Sequence, residues 1–306
     1  MNVLVCGSEG YLGCVLWRRL KAAGHNVRGI DRGMYGVRNR DDDFFHRADA
    51  VINLAALVGE PVCMANPTLT RDYNVTWAAE QADDAIRSGV KTFVQISTCS
   101  VYGEQPADVT VDVNTTIASP EVLPPYAASK VLVERELMAR EFDSTALRIV
   151  RLGTLCGPSP RMRFDLMANG FCLSASRSGG VTIYNPDSVR PHVSVDSVAR
   201  MLVYLVEHPE EVDVLSVYVG EQHTVRDLAE MACNAARTRR LVVDDSRAID
   251  DRRSYRVRCS PCYDHIPDGV HAAMGQVVRG LLAYNWLGAR PDSPQWGNTG
   301  WRWEDA

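Results

Sequence analysis

The chain predicts an α/β fold, a doubly wound parallel sheet with a shortened edge and a smaller C-terminal lobe. Three observations predict it. The apolar run Val3-Leu4-Val5-Cys6 passes into Gly7-Ser8-Glu9-Gly10-Tyr11-Leu12-Gly13, which opens a helical pattern carrying Val15, Leu16 and Leu20. Short apolar segments then alternate with helical patterns through Arg148-Ile149-Val150-Arg151-Leu152, an alternation that builds parallel strands with helices on both faces. A length of 306 residues, 46% of them hydrophobic, buries one large core and a lesser lobe.

The first unit carries the earliest sign of a ligand. In a strand-turn-helix with three such glycines, Gly7 makes the tight turn, Gly10 lets a pyrophosphate approach the backbone, and Gly13 lets the helix pack close to its strand. Phosphates then sit on the helix N-terminus, where unpaired N–H groups and the helix dipole favour negative charge. Asp31 closes the second apolar segment, at the position where an acid accepts hydrogen bonds from a ribose. This is a dinucleotide-binding (Rossmann) pattern. A 2′-phosphate about 4 Å from that carboxylate would cost about 4 kcal/mol at an effective dielectric near 20, so NAD is favoured over NADP. Arg32 works in the other direction, because a neighbouring guanidinium can swing over a phosphate.

Only Gly33 to Asp49 separates Asp31 from the next strand pattern, and most of it is Arg, Asn and Asp until Phe44-Phe45-His46. A crossover of about ten residues or more is needed for each parallel step, so a full strand-helix-strand addition does not fit. One edge strand is therefore expected to be missing.

Lys91-Thr92-Phe93-Val94-Gln95-Ile96 reads as a buried parallel strand running into Ser97-Thr98-Cys99-Ser100-Val101-Tyr102-Gly103. Pro124-Pro125-Tyr126-Ala127-Ala128-Ser129-Lys130 begins a helix that continues through Leu132, Val133 and Leu137. Tyr126 and Lys130, four apart, point from one helix face into one cleft. With Asn53-Leu54-Ala55-Ala56, Asn74-Val75 and Arg190-Pro191-His192-Val193-Ser194-Val195-Asp196 in the same order, the chain resembles the extended short-chain dehydrogenase/reductases. Within that family it is similar to the nucleotide-sugar epimerases and dehydratases, from the glycine loop to about Val257.

The resemblance implies a catalytic set of Thr98, Tyr126 and Lys130. It implies NAD held by Gly7, Gly10, Tyr11, Leu12, Gly13, Asp31, Arg32, Leu54, Ala55, Ala56 and Asn74, with Tyr126 and Lys130 on the nicotinamide side. The chemistry explains the residue types. Oxidising a sugar alcohol needs a base for the hydroxyl proton, and tyrosine has an ordinary pKa near 10. Lowering it by about three units requires stabilising the phenolate by about 4 kcal/mol. Lys130 and the positive nicotinamide ring are the natural sources. The resemblance also has Lys130 grip the nicotinamide ribose, while the shortened segment after Asp31 removes the family's acidic contact to adenine.

Dehydratase and decarboxylase members carry acids directly after the threonine, whereas this chain has Cys99 and Ser100. A neutral thiol and hydroxyl are weak substitutes for an acid-base pair, so the pattern favours a C4 epimerase, with a keto-sugar reductase as the alternative. Cys99 also reads as a small apolar filler. A non-catalytic NAD(H)-sensing protein is the reading from another class, opposed by the intact Thr98, Tyr126 and Lys130.

Beyond Leu152, Gly157-Pro158-Ser159-Pro160 reads as a turn, followed by Arg161-Met162-Arg163-Phe164-Asp165 and an apolar helix ending near Asn169. Val193-Ser194-Val195-Asp196 is expected to return to the sheet, Val217-Tyr218-Val219-Gly220 to form its last strand, and a helix to start at Thr224. The cofactor domain is thus set at residues 1–155 plus 192–220, and the substrate lobe at 156–191 plus 221–306. Val58, Cys99, Ser100, Asn169, Arg190 and Arg253 are the substrate candidates, the arginines being suited to a diphosphate. His192 reads as a packing residue. Trp286, Trp296, Trp301 and Trp303 cover lobe surface or join a subunit contact.

The formal charge of −5 offers no basic face for nucleic acid. No polybasic leader precedes Val3, and no apolar stretch is long enough to span a bilayer. Nine cysteines without framework spacing suit a reducing cytoplasm. Cys259-Ser260-Pro261-Cys262 lacks a second pair, which favours packing over zinc. A nucleotide-diphosphate sugar is the expected partner, and the resemblance implies a homodimer.

Overall fold

A computed structural model describes residues 1–31, 43–106, 109–244, 254–267 and 269–283. Arg32, Arg253 and the four C-terminal tryptophans, Trp286, Trp296, Trp301 and Trp303, lie outside these residues. β1 (Asn2–Cys6) buries Val3 to Cys6 completely, as a parallel strand covered on both faces requires. After Gly7, α1 (Tyr11–Ala22) turns Leu12, Leu16 and Leu20 toward the sheet at four-residue spacing. β2 (Asn26–Ile30), the helical turn α2 (Asp43–His46) and β3 (Ala50–Asn53) follow. Next come α3 (Glu60–Ala65), α4 (Pro67–Arg71), a π-helical turn at Asp72–Thr76, α5 (Trp77–Arg87) and β4 (Thr92–Thr98). β5 (Thr110–Val111), α6 (Pro125–Met138), β6 (Ala146–Leu152), β7 (Thr154–Cys156) and α7 (Met167–Ser178) lead into the lobe. β8 (Gly180–Ile183), β9 (Val189–Ser194), α8 (Val195–Glu207), β10 (Leu215–Tyr218), β11 (Gln222–Thr224), α9 (Val225–Ala235), β12 (Arg240–Val243), β13 (Arg256–Val257) and α10 (Val270–Ala283) complete the described order.

The main sheet runs β10-β6-β4-β3-β1-β2 with every pairing parallel. β2 is its outermost strand among the described residues, in keeping with the shortened edge. Strand order reverses between β1 and β3, and in open α/β sheets the crevice at such a switch point receives the ligand. Alternate residues along each strand feed the two faces. Val5, Ile52, Val94 and Val150 pack beneath α1 and α8, whereas Leu4, Val51, Phe93 and Ile149 pack beneath α5 and α6. Leu16 is fully buried in the first layer, so Leu16→Ala costs about 2–5 kcal/mol.

Two expectations are corrected. β9, which contains Val193 and Ser194, does not rejoin the main sheet; it pairs parallel with β7 and antiparallel with β11 in a separate three-stranded sheet. The helix expected to end near Asn169 instead begins at Met167 and runs to Ser178, where Gly179 in the left-handed region (φ +66°) stops it. The helix expected at Thr224 is present. Thr224 and Asp227 form a reciprocal capping box at its start, with N···O distances of 3.0 and 2.8 Å. β12 pairs with β8 and β13 with β5, joining the lobe to the segment after β4.

Candidate active site

A cavity of about 1170 Å³ opens at the switch point, lined from both the glycine loop and the lobe. Gly7 adopts φ +85°, and a Cβ there would lie 2.9 Å from Ala55 N; one on Gly13 would lie 2.1 Å from Gly7 O. Only glycine fits the second position without moving backbone. Gly10 caps α1 without a side chain and no acid occupies the first turn, leaving the helix's first N–H groups to an anion. Asp31 accepts from the Glu9 N–H at 2.8 Å, so the expected ribose ligand also ties down the glycine loop. Leu12, Leu54, Ala55 and Ala56 line the cavity too. This cradle fits a dinucleotide.

At the other end, β4 delivers Thr98 and α6 delivers Tyr126 and Lys130. Thr98 accepts from the Ser100 N–H at 3.2 Å and so caps a short 3-10 turn over Cys99–Tyr102. Pro125 starts α6, which places Tyr126 in the first turn and Lys130 one turn later. The Thr98 hydroxyl favours the Tyr126 phenolate, and Lys130 Nζ lies 6.0 Å from the Tyr126 ring centroid. Lys130 Nζ donates to Ile96 O at 2.9 Å. Burial pushes the Lys130 amine down to about 8, opposed by the Glu134 carboxylate. Burial holds the Tyr126 hydroxyl above its ordinary range; Cys63 and Glu60 add to that, while Arg163 and Thr98 oppose it. The protein alone therefore does not make Tyr126 a ready base, and further positive charge is needed.

The cavity brings together most of the residues singled out in the sequence, including Val58, Ser100 and Arg190. Three have other work. Asn74 is buried, with Oδ1 accepting from Leu57 N at 2.7 Å and Nδ2 donating to Leu57 O and Ser129 Oγ, so it pins the loop after β3 instead of facing a cofactor. Asn169 is fully buried and its amide is spent on Gly157 N, Tyr11 Oη and Arg163 O. Because Tyr11 Oη in turn donates to Gly157 O at 2.6 Å, this set ties the glycine loop to the lobe. Cys99 is 1% exposed beside Arg151 O, and burial drives its thiol pKa up, which makes it a core filler.

Four features gain contacts that the sequence did not show. Glu60 lines the cavity and accepts from Tyr126 N–H at 3.1 Å. Arg163 lines it too, held bidentate by Asp165 at 2.7 and 2.5 Å. His192 also lines it, buried and lowered to about 4 chiefly by that burial. Glu134 and Arg151 form a buried pair behind Lys130. An arginine inside the apolar strand run 148–152, and an acid four residues after Lys130, were the legible signals for that last pair.

A model of the NAD dependent epimerase/dehydratase family matches residues 3–219. The chain belongs to that family. It is 31% identical over 159 residues to a UDP-glucose 4-epimerase of Mycolicibacterium smegmatis, covering 44% of this chain and 49% of that one. The chain thus spans about half the length of that relative. It is 24% identical over 254 residues to a GDP-6-deoxy-D-mannose reductase of Pseudomonas aeruginosa, covering 77% and 79%. A Thermotoga maritima UDP-glucose 4-epimerase structure with UDP-glucose superposes with a TM-score of 0.78 at 20% identity, covering 93% and 100%, and so shares the fold.

Proposed function

We propose that this family member is an NAD-dependent enzyme acting on a nucleotide-diphosphate sugar, with epimerisation at C4 as the leading reaction. The observation that carries the reading is the meeting of Thr98, Tyr126 and Lys130 in one cavity with an uncapped, glycine-lined helix N-terminus. Bound NAD supplies a hydride acceptor and a positive ring. Thr98 holds the substrate hydroxyl against Tyr126, and Tyr126 takes its proton as the C4 hydrogen leaves with its electron pair. Lys130, protonated, stabilises the phenolate. Tyr126 returns the proton when the 4-keto carbon is reduced on its other face, so no net redox change results. Arg190 from β9 lines the cavity and is the guanidinium suited to the diphosphate. Residues 1–155 with 192–220 carry the cofactor, and residues 156–191 with 221–306 carry the sugar nucleotide.

The keto-sugar reductase remains a second reading, favoured by the 24% identity to the GDP-6-deoxy-D-mannose reductase over most of both chains. It uses the same three residues with stoichiometric consumption of reduced cofactor. No helix of the described residues is long and apolar enough to cross a membrane, and all nine cysteines are free thiols, which supports a cytoplasmic site. A homodimer is the assembly to test by light scattering.

The reaction is tested by incubating the protein with UDP-, dTDP- and GDP-hexoses in deuterated water and following products by NMR. Epimerisation gives C4 epimers with catalytic NAD and no deuterium on carbon. A 4-keto-6-deoxy product deuterated at C5 would overturn the reading and make Glu60 the first acid to test.

A further inference from the structure

The backbone of Tyr126 is held from both ends by groups that the proposed reaction leaves unused. α6 starts on Pro124 and Pro125, so its cap position carries no side-chain acceptor, its first turn holds no acid, and Tyr126 supplies its first N–H. Glu60 Oε2 takes that N–H at 3.1 Å from another element, α3. At the opposite end Ser129 Oγ donates to Tyr126 O at 2.7 Å, and Asn74 Nδ2 donates to Ser129 Oγ at 3.0 Å. Asn74 also pins Leu57 on the loop that leads to Glu60, and Gly59 turns that loop into α3 at φ +99°, a value that favours glycine. Tyr126 is thereby clamped to the loop after β3 through both its N–H and its carbonyl.

We propose that Glu60 is a positioning residue for Tyr126: its carboxylate supplies the cap that Pro124 cannot, and sets a fixed negative charge at the N-terminus of the helix that carries the base. The inference rests on the proposed role of Tyr126 as that base. A cap satisfies an orphan donor and fixes the entry of the helix, and with it the direction of a side chain in the first turn. A carboxylate is itself stabilised at the positive end of the helix dipole, and it offsets the field that this end would otherwise apply to a phenolate. Several groups act on the Tyr126 hydroxyl: Cys63 and Glu60 from α3, Thr98 from β4, Lys130 from its own helix and Arg163 from the segment before α7. Burial is the largest cause that keeps the phenol protonated; Cys63 and Glu60 add to it, and Arg163 and Thr98 oppose it. Glu60 is the carboxylate of this set, so it holds the proton on Tyr126 until the positive charge of the bound cofactor joins that of Lys130.

Variants of the full-length protein separate cap from charge. Glu60→Gln keeps an acceptor of the same shape and removes the charge, Glu60→Ala removes both, and Glu60→Ala/Pro124→Ser restores a local cap without the charge. Hydrogen exchange of the unliganded protein reads the cap. The Tyr126 amide should exchange at least about tenfold faster in Glu60→Ala, and within about twofold of native in Glu60→Gln and in the double variant. The pH profile of kcat/KM at saturating NAD reads the charge: its acidic limb, set by Tyr126, should move by about 0.5 pH unit or more toward lower pH in each variant. On the plateau kcat should fall about tenfold in Glu60→Ala and recover in the double variant. Unchanged Tyr126 exchange in Glu60→Ala overturns the cap, and a limb that stays in place in Glu60→Gln overturns the role of the charge. A native protein that turns over no nucleotide sugar overturns the proposed reaction, and the role of the charge with it, while the exchange measurement decides the cap by itself.

Discussion

Glu134 and Arg151 form a buried ion pair one helical turn beyond Lys130, with Arg151 Nη2 2.7 Å from Glu134 Oε2 and side chains 2% and 4% exposed. The pair is fully served by neighbours: Arg151 Nε lies 3.1 Å from Oε1, Ser97 Oγ donates to Glu134, and Arg151 Nη1 donates to Tyr102 Oη at 3.1 Å. Removing one partner leaves an uncompensated buried charge, which costs about 3–5 kcal/mol, whereas replacing both with apolar side chains costs far less. Glu134→Gln should therefore lower the unfolding free energy by about that amount in urea titrations. The double variant Glu134→Leu/Arg151→Met should recover most of it. A double variant no more stable than Glu134→Gln would mean that the charges are not what holds this region.

Lys130 titrates near 8, lowered by burial and supported by Glu134, so it loses its proton as pH rises through that value. Tyr126 then loses the positive charge that lies 6.0 Å from its ring centroid. kcat/KM should fall above about pH 8, and Lys130→Arg, whose guanidinium stays charged, should remove that limb while lowering the rate. A limb unchanged in Lys130→Arg would assign it to another group. Because the folded value lies below the unfolded 10.5, the unfolded chain binds more protons between the two. This group therefore makes the unliganded protein more stable as pH rises across that window.

Tyr126 lines the cavity with Thr98 and carries the proton in the proposed chemistry. Tyr126→Phe should lower turnover by about 10² to 10⁴-fold, the range of a general acid-base contribution, with NAD affinity largely kept. Near-native turnover in that variant would remove the tyrosine from the mechanism.

Asp31 follows β2 with its carboxylate on the Glu9 N–H and lines the cavity. NAD should bind at least about tenfold more tightly than NADP, about 1.4 kcal/mol, and Asp31→Ala should narrow that gap. Calorimetry showing equal affinities would mean that Arg32 governs the choice.

Local physics made much of this protein legible before any coordinates. Gly7, Gly10 and Gly13 mark a turn that only a backbone without Cβ can make, as the 2.1 Å approach at Gly13 bears out. The four-residue spacing of Tyr126 and Lys130 fixes their common helix face, and the short polar segment after Asp31 limits how many strands the edge can hold. These follow from neighbours in sequence. Asn74 and Asn169 take contacts the sequence did not show, because a side chain's partner is chosen by packing across long separations: Asn74 meets Ser129, and Asn169 meets Tyr11. β9 was misplaced for the same reason, since a strand's apolar pattern shows that it is buried but not which sheet buries it. The sequence by itself determined the dinucleotide cradle, the Tyr126–Lys130 helix face and the family resemblance. Only the tertiary structure decided the Glu134–Arg151 pair behind Lys130 and the Glu60 contact to Tyr126. Each of those depends on bringing distant segments within hydrogen-bonding reach or into one cavity, where burial, and not sequence spacing, sets which charges must be paired.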